Sequence, residues 1–243
     1  MPRPIFALVG AGEGLGQALA AKFSREGHDI ALITRTEAGG KTAANAARAA
    51  DTAAVVHQFF ADATEPQSVE AAFDELTGRM GPVDVLAYNV RDEFTACEPL
   101  DMSYEALEHV FRLEVVGAYA AAKSVLPSMR DRGRGSIFFS SATAAFRGSK
   151  THPLYAIGKF GVRALSQSLA KAYACDGVHI VHVRLDCDLD VPVMHEAYGE
   201  RLASAHLAAP GDVAEAYWLT HLQPKSAWSN EVELRPHMET WTY

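Results

Sequence analysis

Tyr155 and Lys159 stand four residues apart in a stretch with helical spacing, so both side chains share one face. A phenol can give a proton to a carbonyl oxygen as that carbon is reduced, or take one from an alcohol in reverse. Its free pKa of about 10 makes it a poor base near neutrality. A neighbouring ammonium stabilises the phenolate and lowers that value. Ser140 and Ser141 end the strand-like run before this helix. A hydroxyl there can bind the same carbonyl oxygen and stabilise the charge developing on it. Tyrosine and lysine four apart also decorate ordinary surface helices; the serines upstream make the set a candidate catalytic one.

A second constellation is built to hold a phosphate. Val9-Gly10-Ala11-Gly12-Glu13-Gly14-Leu15-Gly16 joins an apolar strand to an amphipathic helix. Glycines allow a tight turn and close approach of a pyrophosphate to backbone N–H groups. The helix N-terminus adds donors and partial positive charge. Gly10, Gly12, Gly14, Leu15 and Gly16 are the candidate cofactor residues here. The next strand ends Leu32-Ile-Thr34-Arg35-Thr36. An acidic residue at this place binds the ribose 2′-OH, whereas arginine suits a 2′-phosphate. Arg35 therefore favours NADP(H), with NAD(H) left open.

These groups need a frame, and the hydrophobic pattern supplies one. Strands are expected at Ile5–Val9, Ile30–Thr34, Ala54–Phe60, Val83–Tyr88, Ser136–Ser140, Val178–Arg184 and Glu231–Leu234. Helices are expected at Leu15–Glu26, Ala43–Ala50, Gln67–Arg79, Tyr104–Met129, Tyr155–Ala174 and Val213–Leu222, the last with Asp212 as N-cap. Buried strands alternating with helices predict an α/β fold: a Rossmann-like, doubly wound parallel sheet with helices on both faces, three layers in all. No linker or repeat interrupts the pattern, so residues 1–243 read as one dinucleotide-binding domain. The irregular stretch 186–210 falls beyond the carboxyl end of a strand, where such folds bind ligands. Met194, His195 and Tyr198 in it are candidate substrate contacts, or parts of a lid that packs on itself.

Composition narrows the partners. The chain has 243 residues, 49% of them hydrophobic and 21% charged, enough to bury a sizeable core. The formal net charge of -8 lacks the basic footprint of nucleic-acid binding. Cys97, Cys175 and Cys187 lack the spacing of a zinc or redox motif and read as reduced thiols. The N-terminal apolar run passes straight into the glycine turn, and no run is long enough to span a bilayer. The cytoplasm is the expected compartment.

Strand–Ser–Ser, then a loop, then Tyr155-Ala-Ile-Gly-Lys159 resembles the catalytic segment of the short-chain dehydrogenase/reductase family. Gly10, Gly14 and Gly16 resemble its TGxxxGxG loop, with Val9 in the place of the threonine. The resemblance implies Ser141 as the catalytic serine, with Ser140 its neighbour. It implies that Lys159 also grips the cofactor ribose. Phe60-Ala-Asp62-Ala63 looks like the adenine-contacting segment, and Asn89 keeps one residue of the family's NNAG. Glu13 argues against NADP(H), because NADP-users of the family often carry a basic residue there. A homodimer or homotetramer is also implied, with the two long helices Tyr104–Met129 and Tyr155–Ala174 as contact surfaces.

Three departures stand out. Glu114 takes the position of an asparagine that holds a water near the catalytic lysine. A carboxylate there can hold a water or pair with Lys159, partly neutralising its effect on Tyr155. Arg91 replaces the last glycine of NNAG, and Leu185-Asp186-Cys187 stands where the family has Pro-Gly.

Other constellations fail on geometry. His179 and His182, three apart on a strand, fall on opposite faces and cannot share a metal. Asp186, Asp188 and Asp190 begin like a calcium loop, but Val191 and Ala197 occupy the glycine and closing-acid positions. Trp218, Trp228 and Trp241 lack interleaved basic residues and read as packing. No metal is expected. Two function classes remain: a carbonyl reductase or alcohol dehydrogenase acting on a small molecule, and a cofactor-binding regulator or scaffold that has lost turnover.

Overall fold

The computed structural model describes residues 2–92, 94–198 and 206–238. Seven parallel strands form one sheet: β1 (Ile5–Val9), β2 (Asp29–Thr34), β3 (Val56–Phe60), β4 (Val85–Tyr88), β5 (Gly135–Ala142), β6 (Val178–Leu185) and β9 (Glu231–Leu234). Their order is β3-β2-β1-β4-β5-β6-β9. The direction of winding reverses between β1 and β4, which opens a crevice beyond their carboxyl ends.

Alternation along each strand sends residues into two apolar layers. Ala7, Val9, Ile137, Phe139 and Ile180 pack with α3 (Pro66–Met80), α5 (Gly117–Arg132) and α6 (Pro153–Tyr173). Phe6, Leu8, Phe138, Val181 and Val183 pack with α1 (Leu15–Arg25), α2 (Glu37–Ala50) and α8 (Pro210–His221). Both faces of the sheet are covered, as the unbroken apolar strands require.

Several boundaries differ from the sequence expectation. α2 starts six residues earlier than Ala43, because the Thr36 hydroxyl accepts from Gly39 N–H at 3.2 Å and caps the turn despite Gly39 and Gly40. Asp212 is not an N-cap: α8 begins at Pro210 after Ala209, and Asp212 sits in the first turn, where its charge still opposes the helix dipole. The stretch 186–210 is not irregular throughout. It holds β7 (Asp188–Leu189) paired with β8 (Leu207–Ala208), and α7 (Pro192–Tyr198) between them.

The expected helix Tyr104–Met129 is broken by a π turn. α4 (Tyr104–Phe111), capped by the Ser103 hydroxyl, leads into Arg112–Val116 in π conformation and then into α5. The cause lies in close packing. The buried Tyr88 hydroxyl donates to the Leu113 carbonyl. A Cβ at Gly117 would lie 2.3 Å from the Ala63 carbonyl oxygen and 2.5 Å from the Tyr88 hydroxyl. Only glycine lets the helix press against β4 here, and the widened turn inserts Glu114 into the interior.

Candidate active site

β5 sends its two terminal serines into opposite layers. Ile137 and Phe139 point into the α5–α6 layer, so alternation sends Ser141 the same way. Ser140 faces the opposite layer, where its hydroxyl meets the Tyr217 hydroxyl at 2.8 Å. Burial lifts the Tyr217 phenol far above its ordinary range. Ser141 Oγ is buried and has no hydrogen-bond partner among the described residues. A buried hydroxyl without a partner is costly unless a ligand supplies one.

α6 presents Tyr155 and Lys159 one turn apart. The Lys159 ammonium lies 5.4 Å from the centre of the Tyr155 ring. It is almost wholly buried and donates to Glu114 Oε2 at 2.7 Å. The two side chains are 3% and 1% exposed, which makes this a desolvated ion pair. Such a pair gains little net stability, but loss of either partner strands a charge at a cost of roughly 3–5 kcal/mol. The other carboxylate oxygen accepts from Asp92 N–H at 3.2 Å, so Glu114 also fixes the loop after β4. A Cβ at Gly158 would come within 2.9 Å of Glu114 Cγ. The smallest residue on α6 thus makes room for the carboxylate.

The glycine loop has the shape of a phosphate cradle. Gly10 has φ 84°, and a Cβ there would strike Asn89 backbone atoms at 2.8 Å. Gly12 faces open space, so backbone N–H groups next to it are reachable. A Cβ on Gly14 would meet Val191 at 2.8 Å, and one on Gly16 would meet the Ala11 backbone. Leu15 is buried in the core, so only its N–H at the start of α1 is available to a ligand. The residues present fit a nicotinamide dinucleotide at this end. Arg35 is exposed at the end of β2. Asp62 is exposed and turned back on its own loop. Its carboxylate accepts from the Thr64 N–H and hydroxyl, and these bonds, with Arg35 and His109 nearby, hold it below the usual carboxylate range. Ala63 is buried. Asn89 Nδ2 donates to the Gly10 carbonyl at 3.1 Å, so its amide braces the glycine loop.

At the position of the resembled family's Pro-Gly, Asp186 anchors the chain. Its carboxylate accepts from the Thr143 hydroxyl and pairs with Arg235, and Arg184 lies at 3.5 Å. Burial raises the Asp186 carboxyl, but these partners together outweigh it and leave the group below its ordinary value. In the segment that follows, His195 pairs with Asp190 at 2.5 Å and is half exposed. Met194 is half-buried. Among the described residues, neither makes a hydrogen bond or ring contact with Tyr155. Tyr198 ends α7, and its side chain lies outside the described residues, as does Trp241.

His179 stacks on Trp228 at 4.6 Å, and His182 lies near Phe146 on the other side of the sheet. Among the described residues no cluster of three metal-ligating side chains occurs. No described helix is long and apolar enough to cross a membrane.

Sequence reasoning missed Phe94, His152 and the Thr143–Asp186–Arg235 group. Asp186 was visible as a departure, but its partners come from 43 and 49 residues away. Phe94 and His152 meet across two loops that no periodicity connects.

The chain belongs to the short chain dehydrogenase family, whose pattern it matches over residues 5–187. It is 31% identical over 176 residues to a 3-dehydrosphinganine reductase of Arabidopsis thaliana, covering 71% of this chain and 52% of that one. The chain thus spans about half the length of this plant relative. An uncharacterized oxidoreductase of Staphylococcus epidermidis is 26% identical over 230 residues, covering 94% and 95% of the two chains. The fold matches an alcohol dehydrogenase from Thermococcus sibiricus, solved with 5-hydroxy-NADP, with a TM-score of 0.85 at 21% identity, over 99% of each chain. These likenesses define the family and the fold.

Proposed function

We propose that the protein is an NADP(H)-dependent carbonyl reductase or alcohol dehydrogenase, with residues 1–243 acting as one cofactor-binding unit. The observation that carries this reading is the buried, partnerless Ser141 hydroxyl on the same layer as Tyr155 and Lys159. When bound, the nicotinamide supplies or removes the hydride. Ser141 Oγ donates to the substrate oxygen and stabilises charge on it. The Tyr155 hydroxyl gives that oxygen its proton in reduction and recovers it in oxidation. Lys159 stabilises the phenolate and has ammonium protons left, beyond the one given to Glu114, for the ribose hydroxyls. Glu114 holds Lys159 in place and offsets part of its charge.

On the cofactor side, Gly10, Gly12, Gly14, the Leu15 N–H and Gly16 form the pyrophosphate cradle. Arg35 receives a 2′-phosphate, Asp62 and Ala63 flank the adenine, and Asn89 shapes the loop. The NADP-type ligand of the Thermococcus sibiricus relative supports this preference. Met194, His195 and Tyr198 are the substrate contacts on this reading. Tyr104, Phe111, Tyr119 and Phe160 are exposed along α4, α5 and α6, which supports a homodimer or homotetramer joined through these helices.

One observation favours a second reading, a cofactor-binding regulator. With Lys159 neutralised by Glu114, less positive charge acts on Tyr155. The deciding experiment follows NADPH oxidation by absorbance against aldehydes, ketones and dicarbonyls, with NADH in parallel and Tyr155→Phe as control. Turnover that disappears in the variant supports the reductase. Tight NADPH binding with no turnover on any compound supports the regulator.

A further inference from the structure

Phe94 and His152 stand beside Tyr155, and no motif marks either one. Phe94 lies in the loop after β4, and His152 is the residue before α6. Their rings stack with centres 3.8 Å apart and planes within 9°. Phe94 also meets the Tyr155 ring at 5.0 Å and 88°, an edge-on contact. The arrangement is held by backbone ties. Asp92 N–H is fixed by Glu114, and Cys97 N–H donates to the Thr151 carbonyl at 2.9 Å. His152 N–H donates to the Ser149 hydroxyl at 3.0 Å. The loop carrying Phe94 is therefore pinned on both sides, yet the ring remains 55% exposed.

A phenyl ring fixed in place and left half in water loses the burial that normally stabilises it. Its position next to the acid/base group assigns it a ligand. We propose that Phe94 and His152 form an aromatic platform that selects carbonyl substrates carrying a flat aryl or conjugated group beside the carbonyl. The chemistry rests on the reductase reading above; the platform itself does not. The Tyr155 ring has both the Lys159 ammonium, 5.4 Å from its centre, and the edge-on Phe94 ring as neighbours. A substrate oxygen shared by Tyr155 and Ser141 carries one substituent past Phe94. A flat substituent covers the exposed ring and gains an offset or edge-on aromatic contact. A short alkyl group leaves the ring wet.

The test compares an aryl methyl ketone, acetophenone, with 2-butanone, using NADPH. The wild type should prefer acetophenone. Phe94→Ala should lower kcat/KM for acetophenone about three- to tenfold, with 2-butanone changed less than about twofold, and Phe94→Trp should keep the preference. Equal losses on both ketones, or no wild-type preference, would overturn the platform. Should the wild type reduce neither ketone, the reductase reading fails on these substrates and binding alone judges the platform. Benzamide, which is not reduced, is then titrated against NADPH-loaded protein by ligand-observed NMR. Binding weakened severalfold in Phe94→Ala supports the platform. Absent binding, or binding indifferent to Phe94, rejects it.

Discussion

Glu114 Oε2 lies 2.7 Å from Lys159 Nζ, and both groups are sealed from water. The pair sits one helical turn from Tyr155, so its charge balance bears on the proton transfer assigned to that residue. Glu114→Gln keeps the shape but removes the anion. The uncompensated ammonium then stabilises the Tyr155 phenolate more strongly. The acid limb of the alcohol-oxidation profile (kcat/KM against pH) should move to lower pH. Folding stability should fall by roughly 3 kcal/mol in urea titrations. A profile that stays in place while stability falls would make Glu114 a packing residue only.

Arg35 is exposed at the end of β2. If it receives the 2′-phosphate, Arg35→Ala removes a charge-assisted contact specific to NADPH. Kd for NADPH, read by cofactor fluorescence, should rise about tenfold or more, with NADH changed little. Parallel weakening of both cofactors would count against this role.

Asp186 forms a buried ionic anchor on Thr143 and Arg235. Asp186→Asn removes one of the two carboxylates that Arg184 and Arg235 share and leaves them Glu233. The urea midpoint should drop by the equivalent of roughly 1–2 kcal/mol. NADPH affinity should also fall, because the segment lies beyond the carboxyl end of β6. An unchanged midpoint would show that the anchor contributes nothing net.

Buried histidines make the fold acid-sensitive. Burial lowers His182 and His221 to about 4, and lowers His28 and His179 as well. The unfolded chain protonates these rings near pH 6.5, while folded His182 and His221 resist down to about 4. The unfolded state therefore binds more protons in this window, and stability falls as pH drops from about 6.5 to 4. Each fully shifted ring accounts for about 3 kcal/mol across the window. The lowered Asp186 carboxyl contributes separately: its stabilisation is present above about pH 3.9 and is lost below that, as the folded group takes up its proton. Thermal melts between pH 7 and 4 should show a steep decline, and His182→Leu should flatten it. Equal slopes in variant and wild type would remove His182 from the account.

The sequence alone determined the layered α/β plan, the glycine loop and the Tyr155–Lys159 pair, because each depends on spacing within a short stretch. Strand alternation and helix periodicity are local properties, and so is a turn made from glycines. What crosses between elements was decided only in three dimensions. Ser140 finds the Tyr217 hydroxyl, and Ser141 enters the other layer, because β5 packs between two particular helical layers. Glu114 reaches Lys159 because Tyr88 and Gly117 hold open a π turn that no pattern in residues 112–116 announces. Asp186 finds Thr143 and Arg235, and Phe94 finds His152, through contacts between segments far apart in the chain. Such pairings depend on the register of the sheet and the course of its loops, and that information resides in the packed whole.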